Sequence, residues 1–222
     1  MGVLKKQIHQ WLRSRQQRRA AEQISQLGYT RLFDGRPAEA YPCVPGDMLY
    51  LYQAVRDAQP EVILEFGSGC STIMMSQALA DNAQEGKVGR LYSLDADTRW
   101  GQVTIDSMPD ELVEWSDITL TEAIPSEFAG EPVWRYANIP GVVPDLIYLD
   151  GPALNKERKA AVDVLDMEMS LKPGSRLIVD GRIPNCKFLE RHFQRNWRGK
   201  RNKLLKNRMY ILINIFTSGF PR

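Results

Sequence analysis

The chain has 222 residues, 43% of them hydrophobic, with 29 Lys/Arg against 27 Asp/Glu. That is enough for one α/β domain with an N-terminal elaboration. No apolar run approaches the roughly 18 residues that span a bilayer, and Gln and Arg interrupt the N-terminus where a signal peptide would be apolar. Cys43, Cys70 and Cys186 are widely spaced with no Cys-x-x-Cys, which argues against a disulfide framework or structural zinc and for a reducing, cytoplasmic compartment.

Charge is unevenly spread. Residues 1–36 carry a net +6, residues 37–186 a net −13 and residues 187–222 a net +9. Either the basic ends fold back on the acidic middle, or they meet an anionic partner such as nucleic acid, lipid headgroups or an acidic glycan.

In chain order, residues 3–27 predict a basic amphipathic helix with Leu4, Ile8, Trp11, Leu12, Ile24 and Leu27 near helical spacing and Gly28 as its stop. Residues 29–46 are Pro/Gly-rich and read as an irregular connector, followed by a short helix over 47–58. Strand and helix then alternate: strands at Val62–Phe66, Arg90–Leu94, Ile118–Thr121, Leu146–Leu149 and Arg176–Val179, and helices at Ser71–Ala83, Thr98–Met108, Ala153–Leu171 and Phe188–Trp197. The Pro/Gly-rich segment 125–144, with Trp134 and Tyr136, reads as a loop able to cover the site as a lid. Lys203–Leu205 and Met209–Phe216 read as closing strands joined through 206–208. This alternation predicts a mostly parallel sheet with helices on both faces.

The strand tips carry the candidate chemistry, because ligands gather at the carboxyl ends of such strands. Val62 to Thr72 reads as strand, tight turn and helix start, with Glu65, Gly67, Ser68, Gly69 and Ser71 at the turn; Gly-x-Gly lets backbone approach a ligand closely, though it also occurs in turns that bind nothing. Asp95 stands 26 residues past Gly69, near the spacing at which an acid accepts from ribose hydroxyls. A helix N-cap is the other reading, and it suits Asp97 better than Asp95. Asp150-Gly151-Pro152 and Asp180-Gly181-Arg182 end two further strands. Acids at neighbouring tips repel, so the site requires a cation or a set of donors among them.

Together these residues resemble the class I S-adenosyl-L-methionine-dependent methyltransferases. The likeness is carried by Leu64-Glu65-Phe66-Gly67-Ser68-Gly69, Tyr92-Ser93-Leu94-Asp95, Pro144-Asp145-Leu146-Ile147-Tyr148-Leu149-Asp150-Gly151-Pro152 and Leu171-Lys172-Pro173-Gly174-Ser175, over residues 60–216. It is nearest to bacterial enzymes of small-molecule or polysaccharide O-methylation. The resemblance implies a Rossmann-like, doubly wound, mostly parallel seven-stranded sheet with an antiparallel C-terminal strand. Residues 1–58 would form an N-terminal helical extension and 59–222 the cofactor-binding domain.

It further implies that Glu65 and Gly67, Ser68 and Gly69 line the methionine and ribose side of S-adenosyl-L-methionine, with Ser71 opening the helix. Asp95 would hold the ribose, Ala96 and Asp97 would lie beside adenine, and Asp150 would face the transferring methyl group. The amino-group signature Asp-Pro-Pro-Tyr is absent. Metal-dependent catechol-type relatives carry an Asp-Asn pair where this chain has Asp180-Gly181, so a divalent ion on Asp150 and Asp180 is one option, Mg²⁺ or Ca²⁺ by ligand type.

Asp150 is the first candidate for general base and Asp180 the second. His9 and His192 read as packing or surface residues, and Lys156 as part of a solvated helix face. Trp100, Trp134 and Tyr136 are candidate walls for the acceptor, a small molecule or glycan. The alternatives are a nucleic-acid methyltransferase using the basic stretch Arg198, Lys200, Arg201, Lys203, Lys206 and Arg208, a non-catalytic cofactor-binding scaffold, and a NAD-dependent oxidoreductase. Peripheral membrane contact and homo-oligomers are compatible with the basic helix.

Overall fold

A computed structural model describes residues 2–153, 159–201 and 210–214. Helix α1 (Gly2–Gln26) is followed by Gly28 in the left-handed conformation, φ +77°, the usual helix stop. Ala20 and Ile24 are buried, while Ile8 and Trp11 are half-exposed. α1 also steadies its successor: Gln17 Oε1 accepts the Gly46 N–H at 2.8 Å. That satisfies an otherwise orphaned donor in the first turn of α2 (Pro45–Ala58), which opens on proline.

Among the described residues, seven strands form the main sheet: β1 (Val62–Phe66), β2 (Arg90–Asp95), β3 (Ser116–Leu120), β6 (Leu146–Leu149), β8 (Arg176–Val179), β9 (Trp197–Arg201) and β10 (Tyr210–Asn214). Their order is β3-β2-β1-β6-β8-β10-β9. The first five run parallel, and β10 lies antiparallel to both β8 and β9. Helices α3 (Cys70–Gln84), α4 (Thr98–Asp106), α5 (Asp163–Met167) and α6 (Ile183–His192) connect them.

Side chains alternate across this sheet. Ile63, Leu91, Leu146 and Ile178 face one way, onto Leu51 and Val55 of α2 and Met74, Met75 and Leu79 of α3. Leu64, Phe66, Ile147, Leu149, Leu177 and Val179 face the other, onto Val133, Tyr136, Val164, Phe188 and Leu189. Each fully buried aliphatic side chain contributes about 1.5–3 kcal/mol.

The register places the strand ends level. Phe66 pairs with Leu94 on one side and Leu149 on the other, and Leu149 pairs with Val179. The chain crosses from one half of the sheet to the other between β1 and β6, so the switch point lies between their tips. At the opposite edge, Lys172 of the Leu-Lys-Pro-Gly turn pairs with Asp145 at 3.0 Å, and Asp145 accepts the Val62 N–H at 3.0 Å. That motif therefore splices strand starts, on the far side from the tips.

Several expectations are corrected. Segment 125–144 is not a lid-like loop: β4 (Ala123–Phe128) and β5 (Glu131–Tyr136) form an antiparallel hairpin, and β5 pairs in parallel with β7 (Ala160–Ala161). The hairpin turns at Ala129-Gly130, both with positive φ, the geometry that matches strand twist. Pro125 lies on the edge strand, and β7 reaches only Val133 and Trp134 of β5, so neither Pro125 nor Pro132 removes a needed donor.

The long helix expected over 153–171 is replaced by β7, the five-residue α5 and a 3₁₀ turn. The Asn185 amide makes a two-way bridge to the Ala161 backbone, at 2.8 and 3.0 Å, and holds that segment extended. The last helix is Ile183–His192, not Phe188–Trp197. The strand partner of β10 begins at Trp197, because buried Glu168 accepts from the Gln194 and Arg195 N–H groups and from Trp197 Nε1, turning the chain into β9. Lys203–Leu205 and Lys156 lie outside the described residues, as does the His9 side chain. His192 packs against Phe188 with the rings tilted, centroids 4.6 Å apart.

The cysteine expectation also fails. Cys43 and Cys70 form a disulfide across 27 residues of sequence, Cα–Cα 5.6 Å, and Cys186 is buried outside it. The connector folds back from α2 onto the start of α3, so sequence spacing gave no sign of the contact. With two of its three cysteines paired, the chain carries no cysteine signature of a reducing compartment. No described helix is long and apolar enough to cross a membrane.

Candidate functional site

The β1 tip is built on Glu65, which is fully buried. Its carboxylate accepts from Ser71 Oγ at 2.5 Å, Thr72 Oγ1 at 2.6 Å and Ser93 Oγ at 2.6 Å. Burial raises its pKa to about 7, and the three hydroxyls pull the other way. The first turn of α3 is thereby tied down onto β1 and β2. Glu65 was expected to line the ligand, but these hydroxyls enclose its oxygens, so its action on the site runs through the loop. Ser71 likewise turns inward.

Gly67 and Gly69 do different work. Gly67 has φ +95°, and a Cβ there would stand 2.7 Å from the Gly151 nitrogen. Gly69 is extended, φ 167°, and its Cα faces open space. The first glycine lets the β1 and β6 tips meet; the second leaves room above them. Asp95, 7% exposed, accepts the Ser68 N–H at 3.0 Å and Ser68 Oγ at 2.5 Å on one oxygen, and the Asp97 N–H at 2.9 Å on the other. Asp97 caps α4 by accepting the Trp100 N–H at 3.1 Å, so the cap reading holds for Asp97 and not for Asp95.

A cavity of about 360 Å³ opens beside these groups. Ala96 and Asp97 after β2, Glu122 and Ala123 after β3, and Pro152 and Ala153 after β6 line it, with Trp134 of β5 forming part of the wall. Trp100 instead packs against Tyr41, ring centroids 5.8 Å apart, with the Arg99 guanidinium 4.7 Å above its ring. Tyr136 is buried behind the tips.

The β6 and β8 tips bring Asp150 and Asp180 close enough for the Asp150 charge to act on Asp180, whose Oδ1 is buried without a hydrogen-bond partner among the described residues. Desolvation and the neighbouring Asp150 charge push Asp180 up to about 8; burial raises Asp150 as well, and Arg182 holds it down. Asp180 is therefore the acid of the pair pushed further toward its protonated form. The cation required among these acids is Arg182, 5% exposed, with Nε 3.6 Å from Asp150 Oδ1 and a terminal nitrogen donating to the Asp150 carbonyl.

Sequence reasoning left Arg182 without a role, although its place two residues after a tip acid was the available signal. Asp47, in the first turn of α2, is buried close enough to add to the rise at Asp180; nothing local marked it. Among the described residues no group of three or more His, Cys, Asp or Glu side chains is arranged to hold a metal ion.

This fold is shared with solved structures of methyltransferases. Solved structures that share it include a methyltransferase from Geobacter sulfurreducens, 16% identical over 88% of this chain and 90% of that one, TM-score 0.54. An O-methyltransferase from Bacillus cereus in complex with S-adenosylhomocysteine is 14% identical over 89% and 90%, TM-score 0.52. A Podospora anserina methyltransferase with S-adenosylhomocysteine bound is 11% identical over 80% of each chain, TM-score 0.53. At these identities the fold is what is shared. No protein-family model and no curated protein matches the sequence.

Proposed function

We propose that this protein is an S-adenosyl-L-methionine-dependent methyltransferase that acts on a hydroxyl of a small molecule or glycan. The observation that carries the reading is the level row of tips: the Gly67–Gly69 turn, Asp95 and Asp150 meet at the switch point beside an open cavity. The residues fit the cofactor. Gly69 leaves space above the turn, Asp95 would offer vicinal hydroxyls only the lone pair left over from its bonds to Ser68 and Asp97, and Ala96 and Asp97 border the cavity where adenine would lie. Ser68 and Ser71 would shape the turn, and Glu65 would hold it from below.

When bound, S-adenosyl-L-methionine supplies a sulfonium-activated methyl group. The chain's own part is chiefly positioning, which can be worth about 7–11 kcal/mol. Arg182, beside the Asp150 carboxylate and donating to its carbonyl, favours the charged form of Asp150 and fixes its place. Asp150 can then take the proton of an acceptor hydroxyl. Asp97 and Glu122 on the cavity wall repel a polyanionic acceptor, which disfavours the nucleic-acid alternative.

Thermal shift tests the reading. S-adenosylhomocysteine at about 100 times its Kd should raise Tm by about 5–10 °C, and NAD⁺ should not. A shift with NAD⁺ alone would overturn the assignment. Asp150→Asn should keep the shift and lose methyl transfer to an extract-derived acceptor.

A further inference from the structure

We propose that the phenol of Tyr136 is a binding contact for the cofactor, on the side where Asp95 would hold the ribose; this rests on the methyltransferase reading above. Tyr136 is 5% exposed, and its hydroxyl is buried without a hydrogen-bond partner among the described residues. Its position is fixed on every other side. The backbone N–H is held by Asp163 at 2.8 Å, the ring packs on Phe66 at 5.2 Å between centroids, and the hairpin register pairs it with Ala123.

The oxygen is aimed at the junction of the tips. A Cβ on Gly151 would collide with it, and that same Cβ would stand 2.7 Å from the Gly67 nitrogen. Asp95 heads the charged groups that act on the phenol, followed by Arg182, Asp163 and Asp150. Burial and the surrounding carboxylates hold its pKa well above the ordinary value, so it stays protonated and acts as a donor.

Packing does not account for the hydroxyl. A phenylalanine would fill the same space without a buried unpaired polar atom, which is costly to keep. The strand-tip location next to Asp95 and the Gly67 turn supplies a reason: a ligand oxygen on the cofactor completes the phenol's hydrogen bond.

Tyr136→Phe tests this, with Tm of the ligand-free protein and calorimetric Kd values for S-adenosylhomocysteine and for adenosine as readouts. The expected result is an unchanged or higher ligand-free Tm together with a roughly tenfold rise in both Kd values. Kd values within twofold of wild type overturn the contact, and a lowered ligand-free Tm shows that the hydroxyl has a protein partner instead. A loss confined to S-adenosylhomocysteine, with adenosine unaffected, overturns the ribose-side placement. If wild-type protein binds neither ligand, the methyltransferase reading itself fails, and that result is seen before any variant is made.

Discussion

Gly67 and Gly151 lie back to back: a Cβ on either one would stand 2.7 Å from the other's backbone nitrogen. Two strand tips from opposite halves of the sheet touch there through bare backbone. Asp150, next to Gly151, and Asp95, at the end of β2, lie close enough there for the Asp95 charge to act on Asp150.

Substitution at these glycines should separate folding from binding. Gly67→Ala meets both positive φ and a backbone collision, so urea unfolding should show a loss of about 2–4 kcal/mol, and Gly151→Ala a comparable one. Gly69→Ala has room and an extended backbone; its stability should stay within about 1 kcal/mol while S-adenosylhomocysteine binding weakens at least tenfold. Equal effects at both positions would refute the division of roles.

Asp180 makes stability depend on pH in a stated direction. Its folded pKa of about 8 lies above the ordinary 3.8, so the folded state binds the proton more tightly than the unfolded chain. Stability should therefore fall as pH rises from about 4 to about 8 and then level off. Asp163, raised to about 6, and Glu65, raised to about 7, act with the same sign. Asp180→Asn should flatten the decline in Tm between pH 5 and pH 8, and an unaltered slope would count against proton retention at Asp180.

Arg182 and Asp150 should be energetically coupled. Arg182→Gln leaves the half-exposed Asp150 beside Asp180 with no compensating cation. We expect a loss of about 2 kcal/mol, below the full cost for a wholly buried pair. Asp150→Asn should recover part of it, giving a double-mutant coupling of at least about 1 kcal/mol in chemical denaturation. Additive effects would remove the pair as a working unit.

Closing the 27-residue span between Cys43 and Cys70 should stabilise the fold by about 3.5 kcal/mol by restricting the unfolded chain. Melting with and without reductant measures this directly. Because Cys70 follows Gly69, reduction or Cys43→Ser should also weaken S-adenosylhomocysteine binding. Unchanged binding would show that α3 holds its first turn through Glu65 alone.

Legibility in the sequence followed locality. β1, β6 and β8 have the same bounds in the sequence reading and in the structure, because strands covered on both faces are short, continuous apolar runs. The Asp97 cap was legible for a similar reason, since its partner is three residues away. The hairpin was not: Pro125 and Pro132 look like strand breakers until it is known that β4 is an edge and that β7 pairs only two residues of β5. Trp134 and Tyr136 were assigned to a loop on that ground, and one is now a cavity wall and the other a buried phenol.

The amino-acid sequence by itself determined the alternation of strands and helices and the acids that end the strands, because both depend on neighbours within a few residues. Only the tertiary structure decided which of those acids is pushed furthest toward its protonated form, that Arg182 compensates Asp150, that Cys43 meets Cys70, and that Tyr136 points its hydroxyl at Gly151. Each of these depends on distance and burial between residues remote in the chain, and burial is what turns a carboxylate or a phenol from a solvated group into a chemical constraint.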